Sequence, residues 1–141
     1  MSFNTSNADL AFKSQMEACT FPAADFDHRG HLRLAYIYLC GHSTDEATTL
    51  MRDTLLRFLT HNGVDQSKYH ETITHAWILA VHHFMHKTGA TDSSDELIDR
   101  NPVMLDSKIM LTHYSAALLF SDVARVAFVQ PDIDPIPEYA A

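Results

Sequence analysis

The sequence has 141 residues and a formal net charge of −8 at pH 7, from 10 lysines and arginines against 18 aspartates and glutamates. This acidic balance argues against binding to the phosphate backbone of a nucleic acid or to an anionic membrane surface. With 46% hydrophobic residues the chain can bury a core without disulfide bonds, and no apolar run approaches the roughly 20 residues that cross a bilayer.

The length is that of one domain, which we expect to span residues 1–141. The N-terminus is polar and has no signal-peptide hydrophobic region, so the sequence predicts a cytoplasmic protein. In that compartment Cys19 and Cys40 are expected to be reduced thiols. A small-molecule substrate, a protein partner and assembly into a homo-oligomer all stay open.

Hydrophobic periodicity predicts helices along most of the chain. The clearest is 44–62, where apolar residues follow the i, i+3, i+4, i+7 spacing of one buried stripe. Ser43 with Glu46, and Ser93 with Glu96, have the spacing of capping boxes, and a glycine follows three of the predicted helices. In chain order the predicted helices are 7–18, 27–40, 44–62, 67–87, 94–100, 103–115 and 121–129.

No segment alternates apolar and polar residues as a half-buried strand does. The predicted fold class is therefore all-α, a compact single-domain helical bundle of about five to seven helices with short connections. The last segment, 130–141 (QPDIDPIPEYAA), holds three of the five prolines and is expected to form an extended tail, either packed on the surface or loose.

Histidine is abundant, with 10 residues in 141, and two of them form an HxxH pattern in FDHRGHLRLAYIYL, residues 26–39. On a helix, His28 and His31 both fall on the core-facing side of the first turn, close enough to share one metal ion. The alternative is that each is a core histidine bonded to a carbonyl or carboxylate. Gly30 between them indicates either close approach of backbone or ligand, or a tolerated glycine.

A second candidate lies in KYHETITHAW, residues 68–77, where His70 borders the predicted core and Glu71 follows it. Together with His28 and His31, these residues would suit zinc, iron or manganese with an open coordination position. A water on such an ion has a lowered pKa, and Glu71 is the predicted catalytic residue. The hypothesis requires the starts of helices 27–40 and 67–87 to meet.

Three further histidines, His75, His82 and His86, fall in line with Glu71 opposite the main apolar stripe of helix 67–87, so this face is expected to be solvated. His82 and His86 lie too far along the axis to share a first coordination shell with Glu71, and could form an adventitious surface metal pair. His113 could complete the predicted site or carry a proton, or could be a partly buried residue at a helix end.

The segments FDHRGHLRLAYIYL, KYHETIT and FVQPDIDPIP resemble matching segments of a group of small, uncharacterised helical bacterial proteins. The resemblance covers most of the chain from about residue 26. It implies a bacterial source and a compact single domain, and it carries over no activity.

Two functions follow from these observations. The first is a small soluble metal-binding protein, either a binding protein alone or a metal-dependent enzyme, with His28, His31, His70 and Glu71 around one ion. The alternative is a non-catalytic protein-interaction or regulatory module in which the histidines are structural, and sensing of pH by the histidines is a further possibility.

Overall fold

The computed structural model describes residues 2–139, in which all regular secondary structure is helical and no β-strand occurs. The all-α prediction is confirmed. Four short 3-10 segments accompany the α-helices, at Ala23–Asp25, Gln66–Lys68, Pro102–Leu105 and Ser107–Thr112. The α-helices of this range are α1 (Asn7–Glu17), α2 (His28–Leu39), α3 (Thr44–His61), α4 (Glu71–Thr88), α5 (Ser94–Arg100), α6 (Ala116–Leu119) and α7 (Asp122–Val126).

Helices α2 and α4 form the centre of the fold. Residues 32–39 of α2 are all buried apart from half-buried Arg33, and residues 76–81 of α4 are all buried. A helix that is apolar on nearly every side must be surrounded by other elements. Accordingly, α2 packs against α1, α3, α4 and α5, while α4 also contacts α3, α5 and α7. No helix in the described part of the chain is long and apolar enough to cross a membrane.

Helices α1, α2, α3 and α5 begin and end within one residue of their predicted limits because their caps are local, whereas α4 begins at Glu71, four residues after its predicted start, since Tyr69 and His70 have extended backbones. The Ser43 hydroxyl accepts from the Glu46 N–H and the Glu46 carboxylate accepts from the Ser43 N–H, so the predicted capping box is present. At α5 only half the box forms, since the Glu96 carboxylate accepts from the Asp92 N–H instead of the Ser93 N–H.

The predicted helix 103–115 is wrong. Two 3-10 segments occupy that range, because Asp106 between them has an extended backbone (φ −87°, ψ 101°) and its side chain accepts from the Lys108 N–H. A short polar side chain that bonds its own neighbouring backbone competes with helix formation. The predicted helix 121–129 is shorter, at Asp122–Val126, and α6 before it was not predicted.

The C-terminal segment lies across α4, so the face expected to be solvated is half-buried instead. The Phe128 ring packs on His75 with centroids 3.9 Å apart, and the Tyr139 ring stacks on His86 at 4.4 Å. Ile136 is only 5% exposed and belongs to the hydrophobic core. The segment has no regular secondary structure after α7, and its apolar and aromatic side chains pack directly on α4.

Candidate functional site

Two adjoining cavities lie between α2, α3, α4 and the segment that follows Pro102. The larger, about 470 Å³, is lined by Trp77, His28, Met110 and Phe120 among others, and is called here the Trp77 cavity. The smaller, about 390 Å³, is lined by Leu55, Phe58 and Tyr69 among others, and is called the Phe58 cavity. Both are mostly apolar, and four residues line both of them: Phe26, His31, Ile73 and Thr74.

The start of α2 shapes the shared wall. The Asp27 carboxylate caps the helix by accepting from the Gly30 N–H at 3.0 Å. A Cβ atom on Gly30 would lie 2.9 Å from Cδ1 of Phe26, closer than side chains approach one another. Gly30 therefore allows a close approach, but the group that approaches is the Phe26 side chain that lines both cavities, not the backbone or ligand that the sequence suggested.

His31 is half-buried at the junction of the two cavities, and its ring lies 4.7 Å from the Phe26 ring, measured between centroids. Burial lowers the pKa of His31 to about 4, and the nearby backbone of Asp27, which favours the charged ring, offsets only part of this effect. The imidazole is therefore neutral at physiological pH. A neutral imidazole offers one N–H donor and one acceptor to a molecule in the cavities.

His28 also lines the Trp77 cavity. Its Nε2 lies 2.9 Å from the Met104 carbonyl oxygen, and since a carbonyl only accepts, Nε2 carries the hydrogen. The ring packs edge-on against Trp77 with centroids 4.7 Å apart. His28 thus joins α2 to the 3-10 segment Pro102–Leu105, and one ring nitrogen is committed to that contact.

His70 lines the Phe58 cavity and caps α4. Its Nδ1 accepts from the Ile73 N–H at 3.1 Å, and its Nε2 donates to the Leu119 carbonyl at 2.8 Å. Burial lowers the pKa of His70, which favours the neutral ring that this pair of bonds requires. Nε2 carries the donated hydrogen and the Nδ1 lone pair accepts from Ile73, so neither nitrogen is available to a metal ion in this arrangement.

Glu71 lies on another side of α4, where it forms a bidentate ion pair with Arg52 of α3. Arg52 Nε donates to Oε1 at 2.8 Å, its second nitrogen donates to Oε2 at 2.6 Å, and the Tyr69 hydroxyl also donates to Oε1 at 2.8 Å. The hydrogen bonds from Arg52 hold the pKa of Glu71 below its usual value. The carboxylate lines neither the Trp77 cavity nor the Phe58 cavity.

Replacing Arg52 with alanine is expected to lower the free energy of unfolding by about 2 kcal/mol, because the Glu71 carboxylate would be left buried without its cation. The Glu71 side chain is 10% exposed and that of Arg52 is 37% exposed, so water compensates only in part. Urea unfolding followed by circular dichroism measures the change. Arg57→Ala, an exposed arginine on the same helix, is the control and should change stability little.

The four residues of the predicted metal site are therefore not brought together around one point. His28 and His31 share the Trp77 cavity, His31 and His70 share the Phe58 cavity, and Glu71 faces neither. Within residues 2–139, no group of three or more His, Cys, Asp and Glu side chains is placed to hold a metal ion. Metal binding by these residues, and catalysis by Glu71, stay predictions.

Sequence reasoning missed most of the cavity lining. Trp77, Met110 and Phe120 were not predicted as site residues, although the structure lines the Trp77 cavity with them. Their apolar character is the same in a filled core and in a cavity wall, so no sequence signal separates the two. His113 donates to the Asp134 carbonyl at 2.7 Å and anchors the C-terminal segment instead of a site.

Cys19 and Cys40 are both free thiols, as expected. Burial raises the pKa of Cys40 to about 11, so it is a weak nucleophile at neutral pH. The cytoplasmic location stays a prediction.

Comparison with protein-family models, with curated proteins and with solved structures gives no match to this chain. The resemblance to small helical bacterial proteins also stays a prediction.

Proposed function

We propose that this protein binds a small, largely apolar molecule in the Trp77 and Phe58 cavities. The observation that carries the proposal is the position of His31, a half-buried neutral imidazole at the junction of two mostly apolar cavities of about 470 and 390 Å³. Ligand sites typically have this volume and combine apolar walls with a few polar groups that fix orientation.

The lining points to the chemical class of the ligand. Aromatic and aliphatic side chains suit an apolar body, and His31 and Thr74 offer hydrogen bonds where the cavities meet. Each cavity also has one exposed lysine on its lining, Lys108 in the Trp77 cavity and Lys68 in the Phe58 cavity. An apolar or aromatic carboxylic acid would place its body among the apolar side chains and its carboxylate near a lysine.

Fluorescence of Trp77 tests the proposal, because it is the only tryptophan of the chain and it lines the larger cavity. We expect a saturable change with aromatic carboxylates or medium-chain fatty acids, and weaker binding of the matched alcohols. Absence of any saturable change across the panel would exclude the proposed ligand class.

Ile73→Phe is expected to weaken that binding more than tenfold, roughly the effect of 1.4 kcal/mol or more, by placing extra volume in the wall that both cavities share. Val123→Phe, which enlarges a side chain that is 63% exposed and lines neither cavity, is the matched control and should bind as the wild type does. Equal affinity of the two variants, measured by calorimetry, would contradict the assignment of the site.

The functions predicted from the sequence stand beside this proposal. Of the four predicted ligands of a zinc, iron or manganese ion, His28, His31, His70 and Glu71, only the first two share the Trp77 cavity, and that shared position is what supports a metal site there. A protein-interaction module is supported by exposed apolar residues near α6 and on α7: Phe120, Val123 and Val126. The ligand proposal is preferred because His70 and Glu71 are engaged elsewhere and the cavities have the volume of a binding site.

A further inference from the structure

His82 and His86 form a close pair one turn apart on α4, away from the Trp77 and Phe58 cavities. Their Nε2 atoms are 3.2 Å apart, and the two rings are nearly perpendicular, at 83°. Both rings are half-buried. In the protein as it stands one Nε2 carries a hydrogen and the other accepts it, so the two nitrogens point toward one another.

That separation is also the one that a shared metal ion would require. Two imidazole nitrogens bound at roughly 2.0–2.1 Å to one tetrahedral or square-planar ion lie roughly 2.9–3.4 Å apart. The ion would lie to one side of the line that joins the two nitrogens, so both rings would turn slightly toward it. Binding requires the ring that carries its hydrogen on Nε2 to take the other neutral tautomer, with the hydrogen on Nδ1, so that both Nε2 lone pairs are free and no net proton is lost.

The surroundings of the pair favour a cation. It lies at a cavity of about 550 Å³ between α4 and the turn from α2 to α3, and the polar residues His42, Asp45 and Glu46 line part of the same cavity. Carboxylates so placed attract positive charge, and the cavity has room for the water molecules that would complete the coordination shell.

The C-terminal segment fixes the orientation of the pair. The Tyr139 ring stacks on His86 with centroids 4.4 Å apart and planes 8° from parallel, and the Tyr139 hydroxyl bonds to Nδ1 of His83 at 2.8 Å. His86 is therefore held between His82 and an aromatic ring. A ligand held in one orientation loses little freedom when it binds an ion.

We propose that His82 and His86 bind one late first-row divalent ion through their Nε2 atoms, with water in the remaining positions. Imidazole ligands suit copper, nickel and zinc, and the expected order of affinity places copper above both nickel and zinc. This site is distinct from the metal site predicted around His28, and it does not depend on the proposed ligand cavity.

The test is calorimetric titration of the full chain with Ni²⁺, an ion that thiols do not reduce. We expect one ion per chain in the tightest event. His82→Ala and His86→Ala should each weaken it more than tenfold, since loss of even an outer-shell partner costs about 10- to 100-fold. His61→Ala removes an exposed imidazole from the end of α3 and is the matched control, expected to bind like the wild type.

A second measurement on the wild-type protein does not depend on the folding of any variant. On addition of less than one equivalent of Ni²⁺, the ring signals of His82, His86 and Tyr139 should be the first to broaden in the NMR spectrum. If the tightest event survives both substitutions, or if the signals of His28 and His31 broaden first, the site at His82 and His86 is excluded. The second result would support the sequence-predicted metal site instead.

Discussion

Replacing Asp9 with alanine is expected to lower the free energy of unfolding by about 3 kcal/mol, the largest loss we predict for a single substitution. Asp9 lies in α1, is 1% exposed, and accepts hydrogen bonds from the Ser94 N–H at 2.9 Å and from the Ser94 hydroxyl. It also accepts from the Ser6 N–H and lies 3.6 Å from the Arg33 guanidinium. Alanine would leave these donors without their acceptor and separate α1 from α5.

The contribution of Asp9 to stability is expected to depend on pH. Burial alone would raise the pKa of Asp9, but the hydrogen bonds from Ser94 and Ser6 and the charge of Arg33 outweigh it and hold the pKa below its usual value. A carboxyl whose pKa is lowered by folding adds stability above its unfolded pKa of about 4, and this contribution is lost as the pH falls through the folded pKa.

Urea unfolding at pH 7 and at several acidic pH values measures both effects. Asp53→Ala, which removes an exposed carboxylate from α3, is the control and should change stability little. If Asp9→Ala lowers the free energy of unfolding no more than Asp53→Ala does, the buried contacts of Asp9 make no net contribution to stability.

Lowering the pH from 7 to 4 is expected to cost on the order of 3 kcal/mol of stability through His31 alone. The ring has a pKa of about 4 in the folded protein against 6.5 for an ordinary histidine, because burial disfavours its charged form. The unfolded chain therefore binds a proton between pH 6.5 and 4 that the folded chain does not. The free energy of unfolding is therefore unaffected by His31 above pH 6.5, and it decreases as the pH falls from 6.5 to 4 because the proton stabilises the unfolded chain.

His31→Phe isolates this contribution, since phenylalanine fills similar space beside Phe26 and does not titrate. Other histidines with lowered pKa values remain in the variant, so the quantity to compare is the slope of stability against pH, which should be smaller than in the wild type between pH 6.5 and 4. An NMR titration of the wild-type ring gives the pKa directly. A midpoint near 6.5 would contradict the burial argument.

At the start of α2 the positions of two histidines could be predicted from the sequence, but their partners could not. The core-facing placement of His28 and His31 followed from the 100° advance per helical residue, and both rings do line the Trp77 cavity. Their partners did not follow, because the Met104 carbonyl that accepts from His28 lies 76 residues away in the sequence. Side-chain to backbone contacts of that separation leave no pattern in a single sequence.

Glu71 shows the opposite case. The helical periodicity placed Glu71 on a solvated face, and its position beside His70 made it a candidate metal ligand. In the structure Glu71 is buried and paired with Arg52. The pairing depends on how α3 packs against α4, which a helical pattern in either segment does not specify. Phe128 and Tyr139, which cover His75 and His86, likewise could not be predicted from the periodicity of α4.

By itself the sequence determined the all-α class, the limits of α1, α2, α3 and α5 to within a residue, and the N-caps of α3 and α5, because periodicity and capping act between residues only a few positions apart. Only the tertiary structure decided which polar side chains are paired, where the core leaves cavities, and that Phe128 and Tyr139 pack on α4. These features depend on contacts between segments distant in the chain, and such contacts are fixed by the relative positions of whole helices.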